Sequence, residues 1–461
     1  MRGIDNHPYI PNSSPQIRSI MLKYLGLDSY DELHSDIPEE IKLKERLKLP
    51  EAIVSEHELR RHVERILAKN KSARELVSFL GGGCAEHFIP AVCDEINGRG
   101  EFLTAYGGES YNDFGRFQTL FEYQSLVAEL VGMEVVNVPT MDWGQAAATS
   151  LRMASRLTKR RKALIAGTIS PERLAIMRNY CAPDMQLELL EYNSATGKLD
   201  INDLKSKISN DTACVYFENP SYLGFIEPQG KMISALAHVN GAVSVVGVDP
   251  ISLGVLAAPP EYGADIVCGD LQPLGIHMNY GGGQSGFIAS RDEERYVMEY
   301  PSRLFGICPT SEPGEYAFGD VAYDRTSFGH HRHEAKEYVG TQTALWGITA
   351  GVYLSLMGPK GMREVGETIL QKAAYARTGL SKLAGVKIKF AGFKEFVVDF
   401  NATGKSVAEI NNALLQRGIL GGIDLSASFP KLGQAALYCV TEVRSKSEID
   451  ELSAALTEVL S

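Results

Sequence analysis

Ala242-Val243-Ser244-Val245-Val246-Gly247-Val248-Asp249-Pro250 decides the fold. Seven residues are almost wholly apolar, then an acid and a proline stop the run. A strand with one wet face would alternate; a continuous apolar run marks a strand buried on both faces, as in a parallel sheet covered by helices. The neighbouring segments repeat the theme. Residues 213–217 (ACVYF) and 264–268 (ADIVC) read as strands, and 229–239 as the helix between two of them. Upstream, 121–131 and the Ala-rich 144–157 read as helices and 163–166 as a short strand. Strands alternating with helices predict an α/β layer with a mainly parallel sheet. Ligands of such sheets sit beyond the carboxyl ends of the strands. Asn219-Pro220, Asp249-Pro250 and Gly269-Asp270 all fall at such ends.

The flanks differ. Ser14 and Pro15 open a helix running to about Gly26, and 36–40 is expected to start another. Residues 55–69 pair Ser55 with Glu58 and set Leu59, Val63, Ile66 and Leu67 at helical spacing. This arm, taken as residues 1–75, is too small for a core of its own. Residues 76–345 form the expected large domain. Residues 346–461 form a small α+β domain, with strands at 387–390, 395–400 and 436–441 and helices at 406–417 and 446–460.

Bulk composition narrows the function classes. The 461 residues carry 57 acids against 46 bases, a net charge of −11, which disfavours nucleic acid or an anionic membrane as partner. The basic run Lys159-Arg160-Arg161-Lys162 reads as a solvated helix end. Seven scattered cysteines without a C-x-x-C pair read as reduced thiols. No apolar run approaches the ~18 residues of a membrane span, and the first residues lack a signal-peptide core, so a cytoplasmic location is expected. The histidines at 330, 331 and 333 are spaced too closely for paired ligands on a helix, and no metal is expected there.

Several longer stretches carry a resemblance. They are Tyr9-Ile10-Pro11-Asn12, Asp36-Ile37-Pro38, Phe79-Leu80-Gly81-Gly82-Gly83-Cys84, Phe121-Glu122-Tyr123-Gln124, Gly358-Pro359-Lys360-Gly361, Gly421-Gly422 and Cys439-Val440-Thr441-Glu442. In this order they resemble the first subunit of glycine dehydrogenase (decarboxylating), the N-terminal half of the glycine cleavage P-protein where it is split into two chains. The likeness runs from about residue 8 to the C-terminus. It implies a PLP-dependent transferase large domain of fold type I with a small C-terminal domain. It also implies a homologous second subunit bearing pyridoxal phosphate (PLP) on a lysine, glycine as the small amino-acid substrate, and a lipoyl carrier protein that receives the aminomethyl group.

The resemblance also gives meaning to a gap. No lysine occurs between Lys231 and Lys336, where such an enzyme holds PLP as a Schiff base. Asp249 stands where fold relatives place the carboxylate that pairs with the pyridinium nitrogen. Gly269-Asp270-Leu271-Gln272 stands where they carry the lysine, so Asp270, and His277 a turn beyond, are expected near a cofactor-like site. Tyr106 matches a family tyrosine near the intersubunit site. Glu109, Tyr111 and His87 are further candidates for that site, and Arg325 or Arg332 for an acidic group of substrate or cofactor.

Departures from the family pattern fall at 106–112, 142–146, 277–283 and around Lys336-Glu337-Tyr338-Val339. They leave open a paralogue that uses another amino acid or carrier, or a purely structural subunit.

Overall fold

The computed structural model describes residues 9–45, 47–102, 114–281, 284–327, 329, 331–337 and 343–461. The chain divides into two compact units, Met1–Asn70 and Lys71–Ser461.

In the first unit, Ser14 accepts the Ile17 N–H and caps the helix Pro15–Leu25, which ends at Gly26 in the left-handed region. Ser55 caps Glu56–Leu67 through the Glu58 N–H. Neither helix buries a side chain. The helix expected over 36–40 does not form; those residues make turns after the short 3-10 helix Asp31–His34. Asp36 and Pro38 resemble a helix start, but no apolar periodicity follows to give the helix a packed face.

The second unit is built on a seven-stranded sheet. Its order is Val135–Val136, Gly286–Ser290, Ile266–Asp270, Val243–Val248, Thr212–Glu218, Lys162–Ala166 and Gln186–Leu190. The five strands from Ile266–Asp270 to Gln186–Leu190 are parallel, and only Gly286–Ser290 runs against its neighbours. Every residue of Thr212–Glu218, Val243–Val248 and Ile266–Asp270 is buried, which is what their continuous apolar runs require. One face packs a core containing Phe217, Val246 and Phe287, and the other a core containing Leu151, Tyr216 and Ile288.

The helix Ala344–Leu380 breaks at Gly358 (φ 58°) before Pro359. Beyond it lies a four-stranded antiparallel sheet, ordered Lys387–Ala391, Glu395–Asp399, Ala435–Cys439 and Ile423–Asp424. The helices Val407–Leu415 and Lys446–Leu460 pack with this sheet in one apolar cluster, and each opens on a serine capping box, at Ser406 and Ser445. Parallel strands place Glu218, Asp249 and Asp270 side by side at the carboxyl edge of the large sheet.

Candidate active site

Three acids at one edge need three different answers, because a buried carboxylate is costly unless paired or neutral. Glu218 is answered by Arg173, from the helix Pro171–Cys181. The guanidinium grips both carboxylate oxygens at 2.8 Å, and both side chains are buried. Tyr216 Oη donates to the same carboxylate at 3.0 Å, and Trp143 Nε1 donates to Tyr216 at 3.2 Å. The Trp143 ring lies 4.1 Å from the guanidinium carbon, a cation–π contact. Burial alone would weaken the Arg173 charge; the Glu218 carboxylate overrides it and raises its pKa.

Asp270 is answered by backbone. It accepts the N–H of Gln272 at 2.8 Å and of Trp143 at 3.2 Å. Those bonds do not offset its burial, which pushes its pKa from 3.8 to about 7.

Asp249 is answered by a lysine from far along the chain. Lys394, just before Glu395–Asp399, brings Nζ to 2.6 Å from Asp249 Oδ2. Burial opposes the charged amine, but the Asp249 carboxylate, with Cys439 and Glu395 nearby, outweighs it and raises the lysine pKa. On its other side the ammonium stands 3.4 Å from His87 Nε2. The His87 ring bridges to a second acid, its Nδ1 facing Glu442 Oε2 at 2.9 Å. The Phe88 N–H donates to the other Glu442 oxygen at 2.7 Å. Burial would raise the Glu442 pKa; His87 and the hydrogen bonds outweigh it and hold it at about 2.

The glycine triplet closes the rim. The Gly82 N–H donates to Glu395 at 2.7 Å, and burial lifts the Glu395 carboxyl above its ordinary range. Gly83 has φ +116°, and a Cβ there would stand 2.8 Å from the Arg173 guanidinium.

The sequence candidates therefore separate. His87, Asp249 and Asp270 come together. His277 does not: it is exposed and pairs with Asp94 at 2.9 Å. Arg325 is buried, donating to the carbonyls of Tyr300 and Ser302, and burial lowers its pKa to about 10. Arg332 is exposed and donates to the Ser327 carbonyl. Tyr106, Glu109 and Tyr111 lie outside the described residues. Among the described residues, one trio, His331, His333 and Glu334, could bring three donors within 4.8 Å, all of them exposed. The sequence reading missed Arg173, Glu218, Lys394 and Glu442. Glu218, an acid closing an apolar strand, and Glu442, the last residue of the Cys439-Val440-Thr441-Glu442 stretch, left signals.

These residues do not fit PLP. The cavity left among Trp143, Arg173, Asp249, Asp270 and Lys394 is about 30 Å³, whereas small-molecule pockets start near ~300 Å³. An acid stands at the strand end where the cofactor's lysine is expected, and the carboxylate suited to a pyridinium is already paired.

The architecture is nevertheless that of the fold type I PLP-dependent enzymes. A sphingosine-1-phosphate lyase from Burkholderia pseudomallei superposes with a TM-score of 0.65 over 90% of this chain and 92% of its own, at 13% identity. A NifS-like protein gives 0.61 over 84% of this chain and 99% of its own, at 14% identity. The family model for the glycine cleavage system P-protein matches residues 7–456, and the chain belongs to that family. It is 38% identical to a probable glycine dehydrogenase (decarboxylating) subunit 1 of Staphylothermus marinus, covering 99% of both chains. It is 40% identical to the protein of that name from Pyrococcus horikoshii, over 99% of this chain and all of the other. An inhibitor-bound crystal structure of glycine decarboxylase (P-protein) superposes with a TM-score of 0.84 at 31% identity, covering 97% and 98% of the two chains.

Proposed function

We propose that this chain is the first subunit of a two-chain glycine dehydrogenase (decarboxylating). Full-length similarity to relatives named as that subunit carries the reading. In the assembled enzyme a homologous second subunit holds PLP on its lysine, CO2 leaves glycine, and the aminomethyl group passes to a lipoyl carrier protein. The mismatch of this chain's own pocket with PLP supports placing the cofactor on the second subunit. The bound cofactor supplies the electron sink for decarboxylation. This chain's part is to wall the shared site, orient the substrate carboxylate and exclude water. Tyr106, Glu109 and Tyr111 are the residues we assign to that wall. Seven free cysteines support a reducing, cytoplasmic setting.

The test is purification from the native host, borohydride reduction and intact mass measurement of each polypeptide. PLP mass on a co-purifying second chain and none on this one is expected, with glycine-dependent CO2 release by the pair. PLP mass on this chain, or no second chain, overturns the reading.

A further inference from the structure

The gap from Lys231 to Lys336 leaves the pocket without a lysine of its own strands, yet a lysine is in it. Lys394 arrives from the small antiparallel sheet and is buried against Asp249. Two groups meet its ammonium, Asp249 Oδ2 at 2.6 Å and His87 Nε2 at 3.4 Å. His87 is in turn fixed by Glu442, and Glu442 by the Phe88 N–H, so the second group is held in place. Asp249 keeps one further bond, accepting the Ile251 N–H at 3.1 Å. In this fold class an acid at that strand end pairs with the cationic ring nitrogen of the cofactor. Here the same carboxylate meets a cation that is part of the chain.

We propose that Lys394 is a built-in replacement for the cofactor's cationic nitrogen, balancing Asp249 and keeping the pocket shut without a small molecule. The pocket is thus a latent site for a small organic cation, opened when the lysine side chain is removed. Lys394→Ala frees the volume of a propylammonium beside a buried carboxylate left without its counter-charge. A primary alkylammonium or a pyridinium has the size and charge to replace it; tetramethylammonium has the charge but no N–H donor. The inference rests on the fold class and the pocket, not on the assignment of glycine or of a second subunit.

The experiment uses the full chain. Lys394→Ala is expected to lower the thermal midpoint by about 3–6 °C. Ethyl- or propylammonium chloride at tens of millimolar is expected to restore at least half of that loss. Tetramethylammonium and sodium chloride at equal ionic strength, and neutral propanol, are expected to restore none. Lys394→Met fills the space, so its loss is expected to resist rescue. Rescue by all salts alike, or an unchanged midpoint in Lys394→Ala, overturns the proposal.

If Lys394→Ala does not fold, Lys394→Met and Asp249→Asn are measured singly and together. Recovery of at least half the summed loss in the double variant supports the pair, and simple addition overturns it. On the wild-type chain, excess PLP with borohydride followed by peptide mapping is expected to label surface lysines and leave Lys394 unmodified. A label on Lys394 would show an open site and end the proposal. Absence of a PLP-bearing second chain in the native preparation would sink the functional reading while leaving the amine rescue intact.

Discussion

Glu218→Gln is the cleanest probe of the edge cluster, because it keeps the side-chain shape and removes one charge. Arg173 then stays buried, with a neutral amide where two charge-assisted bonds of 2.8 Å had been. Breaking a buried pair from one side costs about 3–5 kcal/mol. The Trp143 face, 4.1 Å from the guanidinium, offsets no more than ~1–2 kcal/mol of that and is present in both proteins. The unit Lys71–Ser461 unfolds with an entropy of about 0.8 kcal/mol per degree at ordinary per-residue values. The midpoint should therefore fall by roughly 4–6 °C. Thermal melts followed by circular dichroism at pH 7 read this directly, and 0.5 M salt should leave the difference unchanged because both groups are shielded from solvent. Arg173→Met completes a cycle: with both charges gone, the double variant should be more stable than the poorer single one. A drop under about 1 °C, or losses that simply add, would refute the claim that the pair is a buried, mutually dependent unit.

Other perturbations test the remaining acids and the backbone. Asp270 binds its proton more tightly folded (about 7) than its ordinary 3.8, so wild-type stability should fall as pH rises from about 4 to 7. The full change is roughly 4 kcal/mol, and Asp270→Asn should lack this slope; parallel melting curves against pH would count against it. Glu442 behaves oppositely. Its carboxyl, held at about 2 against 4.5, contributes stability above about pH 4.5 that is lost as pH falls toward 2. Glu442→Gln should cost about 3 kcal/mol at pH 7 and little at pH 2, and an equal cost at both would contradict the His87 contact. Gly224 has φ +90°, and a Cβ there would stand 2.1 Å from the Glu395 carbonyl oxygen. Gly224→Ala should displace the strand bearing Lys394 and Glu395, read as faster amide exchange at Glu395–Asp399; unchanged exchange would mean that backbone contact is not tight.

How much of this was legible depends on the range over which each feature is encoded. The sheet was readable because burial on both faces imposes uninterrupted apolar runs, and Ala242–Val248 carries that imprint within seven residues. The caps at Ser14 and Ser55 were readable because a cap is a matter of a few adjacent residues. Asp249 and Asp270 were readable as strand-end acids, since parallel topology sends such ends to one edge. His277 misled because nearness in sequence to Asp270 was taken for nearness in space, while its exposed side chain pairs with Asp94 instead.

Lys394 was not legible, and the reason is physical. Phe393-Lys394-Glu395 stands at the mouth of an apolar strand, where a charged pair reads as the solvated end of an element. Nothing local distinguishes a lysine that points to water from one that points to a carboxylate 145 positions earlier in the chain. The missing information is the partner, because desolvation alone would favour the neutral amine, and the Asp249 charge, helped by Cys439 and Glu395, reverses the sign. The missing lysine in the 231–336 gap and the unexpected lysine at 394 are thus parts of one arrangement. On the function and the lysine role proposed above, the gap means no covalent anchor for a cofactor, and Lys394 supplies the cation that Asp249 needs. A chain with only the first change would keep a buried acid without a counter-charge, and a chain with only the second would block its own cofactor.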